Sequence, residues 1–146
     1  MARGMRDGLL IAGGGLAGSL AALAVARRRP DVPILLVEEG NAFGGHSPLL
    51  VFDQDIDDRD RWLADPLISL RWPGYYAAFP GNSRKLKAPC SLIMPADIDR
   101  QVRETLTPDQ YRLETRIVAV RDNELILQGG EKIGAHGAVD ARGAAN

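Results

Sequence analysis

The sequence predicts an α/β fold that opens with a parallel strand–helix–strand unit, and three observations predict it. Leu9-Leu10-Ile11-Ala12 and Ile34-Leu35-Leu36-Val37 are short, uninterrupted apolar runs, the pattern of strands buried on both faces. Between them, Leu16 to Arg29 is rich in alanine and leucine. It repeats Leu16, Leu20 and Leu23 at helical spacing and is stopped by Pro30. Gly13, Gly14, Gly15 and Gly18 join the first run to the helix. Such a unit has parallel strands and a right-handed crossover.

The later elements are read in order. Asp53 to Asp60 is an acidic loop leading into a short helix around Trp62. Leu67 to Trp72 and Tyr75 to Phe79 alternate loosely as two strands separated by a turn at Pro73-Gly74. Leu92-Ile93-Met94 reads as a further strand. Pro95 then occupies a first helical position for Ala96 to Leu106, with Ile98, Val102 and Leu106 on one face. Thr115 to Val120, Glu124 to Leu127 and Lys132-Ile133 suit a small meander, closed by a hairpin turn at Gln128-Gly129-Gly130. Ala138 to Gly143 reads as a strand returning to the sheet. The expected organisation is a βαβ unit over 1–46, a mixed insertion over 47–110, and a meander with return strand over 111–146.

Composition narrows the function. At 146 residues, 45% apolar and 25% charged, the chain is sized and balanced for one water-soluble core. A net charge of −1 gives no electrostatic footprint for nucleic acid, and none is expected as a partner. Arg27-Arg28-Arg29 closes the helix, where cations offset the macrodipole. The single cysteine, Cys90, rules out an internal disulfide and fits a reducing cytoplasm. His46 and His136 lack metal-ligand spacing, so no metal site is expected. Arg3 and Arg6 before the uncharged run from Gly8 to Ala26 superficially suggest a signal peptide or membrane span. Five glycines in that run argue against it, since each costs a helix about 1 kcal/mol relative to alanine.

The glycine turn carries the chemistry. A lone G-x-G-x-x-G is weak, but here it follows a buried strand, opens a helix and precedes a second buried strand ending in an acid. Gly13 permits the sharp turn, Gly15 admits a pyrophosphate close to the backbone, and Gly18 lets the helix lie tight on the strands. With Gly14, Leu16 and Ala17, these residues present free N–H groups at a helix N-terminus, where an anion is favoured. Glu38, 20 residues beyond Gly18, is placed to accept from ribose hydroxyls and to repel a 2′-phosphate. Glu39 would substitute if the strand ended one residue later. Gly44-Gly45, soon after the acid, favours FAD over NAD. An NAD domain of the usual kind would continue directly with another helix and strand.

The series Phe43-Gly44-Gly45-His46, Arg61-Trp62, Arg71-Trp72-Pro73-Gly74-Tyr75, Phe79-Pro80, Arg84-Lys85-Leu86 and Asp140-Ala141-Arg142-Gly143, added to the glycine turn, resembles the N-terminal part of bacterial lycopene β-cyclases. The resemblance runs nearly the whole chain. It implies a Rossmann-like FAD-binding βαβ sheet with a small β-rich additional lobe, truncated relative to the family. It implies closure of lycopene ends into β-ionone rings with FAD in its reduced form, NAD(P)H as the reductant that keeps it so, and lycopene or a related carotenoid as substrate. Because that substrate resides in the bilayer, it implies a cytoplasmic protein peripheral to the inner membrane. By the same resemblance, Gly45 and His46 lie near the cofactor and the backbone at Ile117 passes the adenine. No catalytic residue is assigned, because the acidic segment credited with catalysis in the family lies downstream of Asn146. After His46 the family's aromatic-rich run is replaced here by Ser47-Pro48-Leu49-Leu50-Val51.

Other readings remain open on the residues alone. The same turn would serve a flavin monooxygenase or a prenyl reductase, and an inactive nucleotide-binding remnant is a third. Trp62, Trp72, Tyr75 and Tyr76 read as core or half-buried residues before they read as a substrate tunnel. Arg84, Lys85 and Lys87 read as a solvated basic loop, and the aspartates from Asp53 to Asp60 as a polar loop without calcium-loop spacing.

Overall fold

A computed structural model describes residues 5–144, so Arg3 lies outside the described residues. Four strands form a parallel sheet: β1 (Leu9–Ala12), β2 (Ile34–Val37), β8 (Tyr111–Arg112) and β12 (Gly137–Asp140), in the order β12-β1-β2-β8. The two apolar runs are its central strands. β2 is buried at every position, and β1 at all but Leu9. The period-two alternation of the strand sends Ile11, Ile34 and Leu36 to one face and Leu10, Ala12, Leu35 and Val37 to the other.

Each face is covered by a different layer. On the first face, Ile11 and Leu36 meet Ala22 and Leu23 of helix α1 (Leu16–Arg28) and Ile98 and Val102 of helix α3 (Pro95–Thr105). On the second, Leu10 and Val37 meet Ile117, Leu125 and Leu127 of an antiparallel meander. That meander comprises β9 (Ile117–Arg121), β10 (Glu124–Leu127) and β11 (Lys132–Gly134). Each such buried aliphatic contributes about 1.5–3 kcal/mol relative to exposure, so two covered faces explain why the apolar runs are unbroken. The meander, its turn with Gly129 and Gly130 at φ +98° and +91°, and the return strand β12 beside β1 all match expectation.

The segment between the sheets departs from it. Leu49–Phe52 forms β3, which pairs with β7 (Cys90–Ile93) in a second antiparallel sheet whose third strand is β4 (Ile68–Trp72), in the order β3-β7-β4. The acidic stretch folds as two single 3₁₀ turns before a one-turn helix, α2 (Arg61–Ala64). β4 and β5 (Tyr75–Phe79) do not form a hairpin around Pro73-Gly74. β4 pairs with β7, and β5 pairs with β6 (Asn82–Leu86), the stretch expected to be a basic loop. The register runs almost continuously from Trp72 opposite Cys90 to Tyr75 opposite Leu86, so β4–β5 and β6–β7 form one long, bent hairpin. Its reversal is at Pro80-Gly81, where Gly81 has φ +83°. Pro73-Gly74 is the bend: a Cβ on Gly74 would stand 2.3 Å from the Leu86 carbonyl oxygen. Proline and glycine punctuate both turns and bends, and only the cross-strand partner tells them apart.

Candidate functional site

The C-terminal ends of β1 and β2 and the start of α1 enclose a cavity of about 320 Å³. This is the expected place for a ligand in an open α/β sheet, outside the carboxyl ends of its strands. Gly13 and Gly15 line it from the turn, and Val37 to Ala42 from the end of β2. Gly45 and His46 close one side, Thr115 and Ile117 another, and Ala141 and Arg142 the end of β12.

The glycines divide their work. Gly13 takes φ +97° and donates its N–H to the Val37 carbonyl at 2.8 Å, so the chain turns sharply off β1. A Cβ on Gly18 would lie 1.8 Å from the Gly13 carbonyl oxygen, so α1 sits against the turn with no room for a methyl. Gly14 is equally confined: its Cβ would meet the Phe43 ring at 2.6 Å. Gly15 is the opposite case. Its Cβ would meet nothing within 4 Å, and the residue lines the cavity. Gly45, at φ +74°, faces similarly open space.

Gly15 is also the N-cap of α1. No side chain caps the helix, and no acid stands in its first turn. The first N–H groups of a helix have no partner within it, so this end offers donors and a positive dipole. Leu16 and Ala17 supply the first turn without lining the cavity. Leu16 packs against the core beneath, and Ala17 is exposed. Ser19, fully buried, donates to the Gly14 carbonyl at 2.9 Å and ties the turn to the helix.

Glu38 is held from three directions. Its Oε2 accepts from Gly14 N at 2.6 Å and its Oε1 from Gly40 N at 2.8 Å. Its own N–H donates to the Arg112 carbonyl, and its carbonyl accepts from Thr115 N. The carboxylate thus braces the turn from the neighbouring strand. Glu39 points elsewhere, with its Oε1 3.5 Å from Arg116 Nε. The Gly44-Gly45 segment is fastened to the same turn by Gly44 N donating to the Gly14 carbonyl at 2.8 Å. Phe43 N donates to Asp99 of α3, and the Phe43 ring stands edge-on to Tyr111 at 5.4 Å.

Arg142, in the Asp-Ala-Arg-Gly stretch, joins the cavity lining without belonging to the expected site residues. Its Nε and Nη2 donate to the two carboxylate oxygens of Asp140 at 2.8 and 2.7 Å, and its Nη1 donates to the Ile117 carbonyl at 3.2 Å. These hydrogen bonds hold the Asp140 carboxyl below its ordinary range and raise the guanidinium, with burial opposing both. Asn41 and Thr115 were likewise not anticipated. Both lie in irregular segments that only the tertiary fold brings to the cavity. Of the expected residues, Gly13, Gly15, Glu38, Gly45, His46 and Ile117 converge on one cavity, whereas Gly14 and Gly18 do not line it and pack tightly against Phe43 and the Gly13 carbonyl.

The family model described as "Lycopene cyclase protein" matches residues 8–146. The chain belongs to the lycopene cyclase family. The lycopene beta-cyclase of Pantoea ananas is 30% identical over 136 residues, covering 92% of this chain and 35% of that protein. That of Pseudescherichia vulneris is 32% identical over 140 residues, covering 95% and 36%. The chain therefore spans about a third of the length of these relatives. Among solved structures, p-nitrophenol 4-monooxygenase from Pseudomonas putida superposes with a TM-score of 0.70 at 16% identity, covering 95% of this chain and 41% of that one. A 2-methyl-3-hydroxypyridine-5-carboxylic acid oxygenase gives 0.69 at 19%, covering 89% and 38%. At such identities the likeness establishes the fold, a Rossmann-like parallel sheet with antiparallel additions.

The aromatic residues call for a correction. Trp62 is half-buried, its ring under the Arg28 guanidinium at 4.1 Å. Trp72, Tyr75 and Tyr76 are exposed and not core. Tyr75 leans on Phe52 of β3, and Tyr76 is 71% exposed on the distal hairpin. Arg27 and Arg29 have partners beyond the helix dipole: Arg27 donates to Gln101 and Thr105 of α3, and Arg29 pairs with Asp31. No helix among the described residues is long and apolar enough to cross a membrane.

Proposed function

We propose that this chain is the FAD-binding portion of a lycopene cyclase, an enzyme that closes lycopene ends into β-ionone rings. The observation that carries the reading is a cradle at the mouth of the glycine turn. Gly15 and Gly45 leave open space where any side chain would intrude, and both line the cavity beside Glu38. The fit to a dinucleotide is good. The uncapped start of α1, at Gly15 to Gly18, would receive the pyrophosphate. Glu38 would accept from the ribose hydroxyls of the adenosine half, since each carboxylate oxygen keeps a lone pair beyond its backbone bond. The Ile117 backbone would run past the adenine, and Gly45 and His46 would stand on the flavin side.

When bound in reduced form, FAD supplies negative charge that stabilises positive charge developing on the carotenoid, with NAD(P)H maintaining the reduced state. The chain's own residues bind and orient. Glu38 and the meander fix the adenosine end, and Gly44, hydrogen-bonded to Gly14, holds the Gly45-His46 segment against the turn. A carotenoid substrate carries with it a cytoplasmic protein peripheral to the inner membrane.

Two measurements test the reading. Titration of the purified chain with FAD should quench flavin fluorescence saturably, and Gly15→Val should abolish the quench without unfolding the protein. Expression of the open reading frame that encodes the chain in lycopene-accumulating cells should yield cyclic carotenoids. Unchanged lycopene, with the protein present and flavin reduced, would overturn it.

A further inference from the structure

The distal half of the long hairpin, β5 with β6, pairs with no other strand among the described residues. It projects past the three-stranded sheet as a two-stranded arm, its bend at Pro73-Gly74 and its tip at Pro80-Gly81. Phe79 closes the tip at 72% exposure, and Tyr76 stands behind it at 71%. Two large apolar rings held in water on a two-stranded element are unfavourable for an isolated soluble surface.

Charge along the arm is of one sign. The chain has 19 acids, yet none falls between Asp65 and Asp97, where Arg71, Arg84, Lys85 and Lys87 all lie. Arg71 pairs with Asp65. Among the described residues Arg84, Lys85 and Lys87 make no ion pair, and Lys85 Nζ sits over the Tyr76 ring at 5.7 Å from its centroid. From Pro73 to Ser83 no residue is charged. Along the arm, Arg84 faces Ala77 and Lys85 faces Tyr76, two and three cross-strand pairs behind Phe79. At about 3.4 Å per residue the cations stand roughly 7–10 Å behind the tip. An uncharged aromatic tip with cations at that distance matches an element whose apolar end enters the acyl boundary while its cations meet lipid phosphates.

We propose that the β5–β6 arm docks this protein, tip first, on an anionic phospholipid bilayer. Phe79 enters the headgroup–acyl boundary, Tyr76 lies at headgroup level, and Arg84 and Lys85 contact the lipid phosphates. The proposal rests on the carotenoid reading for its purpose and on the arm alone for its geometry.

Co-sedimentation with vesicles tests it, using phosphatidylcholine alone and phosphatidylcholine with about 30% phosphatidylglycerol. The chain is expected to pellet with the anionic vesicles and to be released by raised salt. Arg84→Ser combined with Lys85→Ser should weaken binding about twenty-fivefold, taking about fivefold per cation. Phe79→Ser should weaken it by more than about tenfold. Phe79→Trp should retain binding and show blue-shifted emission only when anionic vesicles are added. All three variants should bind FAD like the parent. A parent chain that stays in the supernatant, or variants that pellet like the parent, would overturn the proposal. So would a blue shift of Phe79→Trp that follows protein concentration without lipid, which would assign the arm to a second copy of the chain. Loss of FAD binding by the parent with vesicle binding intact would defeat the cofactor reading and leave the arm standing.

Discussion

Replacing Gly18 with alanine asks the molecule to place a methyl carbon 1.8 Å from the Gly13 carbonyl oxygen and 3.0 Å from the Gly13 carbonyl carbon. Both neighbours are backbone, and neither can swing aside. Ordinary contact begins at 3.4 Å, so helix and turn must separate by about 1.6 Å along that line. Such a shift pulls on the hydrogen bonds from Ser19 Oγ to the Gly14 carbonyl and from Gly14 N to Glu38. Overpacking of this kind costs about 1–3 kcal/mol, and two strained hydrogen bonds add about 1 kcal/mol each. The better helix propensity of alanine returns at most about 1 kcal/mol. The net expectation is a loss of about 3 kcal/mol, or a fall in melting temperature of about 10 °C for a chain of this size. Gly15→Ala is the matched control. Its φ of −70° suits any residue and its Cβ meets nothing, so its melting should stay within about 2 °C of the parent. Its methyl enters the cavity, however, and FAD affinity should fall by about tenfold or more. Thermal melts followed by circular dichroism, paired with FAD titrations, separate the two effects. A Gly18→Ala protein that melts with the parent, or a Gly15→Ala protein that melts early, would refute the division of labour between these glycines.

Three further outcomes are expected. Glu38→Gln presents an amide NH₂ to one of the two backbone N–H groups that the carboxylate now satisfies. It should lower stability by about 1–3 kcal/mol in urea unfolding and weaken FAD binding at the same time. Ser19→Ala removes the hydrogen bond from this fully buried hydroxyl and leaves the Gly14 carbonyl one donor short, for a loss of about 1 kcal/mol by the same measurement. Asp140 is held below its ordinary value first by the Arg142 hydrogen bond, so it favours folding when ionised. That contribution is complete above the unfolded carboxylate value of about 4 and is lost as pH falls through the lower folded value. Both partners are more than a third exposed, so it stays below about 1 kcal/mol. Asp140→Asn should flatten that part of the acid unfolding curve, and an unchanged curve would count against the pair.

The parallel core was legible because its signals are local. Leu9 to Ala12 and Ile34 to Val37 each announce burial on two faces, the helix to Arg28 announces one apolar face, and the glycine turn stands between them. Glu38 was legible by its position at a strand end. The bracing of Gly14 by that carboxylate was not, because it depends on a strand and a turn 24 residues apart meeting in space. The long hairpin was misread at Pro73-Gly74 for a related reason. Trp72 finds its partner at Cys90 and Tyr75 at Leu86, and both pairings are invisible to a window that sees only alternation and turn residues. Asn41, Thr115 and Arg142 reach the cavity from three separate loops, so each carries meaning only once β2, β8 and β12 are aligned.

Glu38 also bears on how the site is prepared for its ligand. A ribose acid held only by solvent would have to be ordered on binding, at a side-chain entropy cost of about 1.5–2 kcal/mol for glutamate. Here both carboxylate oxygens are already fixed by backbone N–H groups, and the backbone on either side is fixed by Arg112 and Thr115. The same bonds set the path of Gly14, and through Gly44 N on the Gly14 carbonyl they set the path of the Gly44-Gly45 segment. One carboxylate thereby couples the Gly40 side of the cavity to the Gly45 side. Its removal should act on both sides at once, whereas a change at Gly15 should act only at the start of α1.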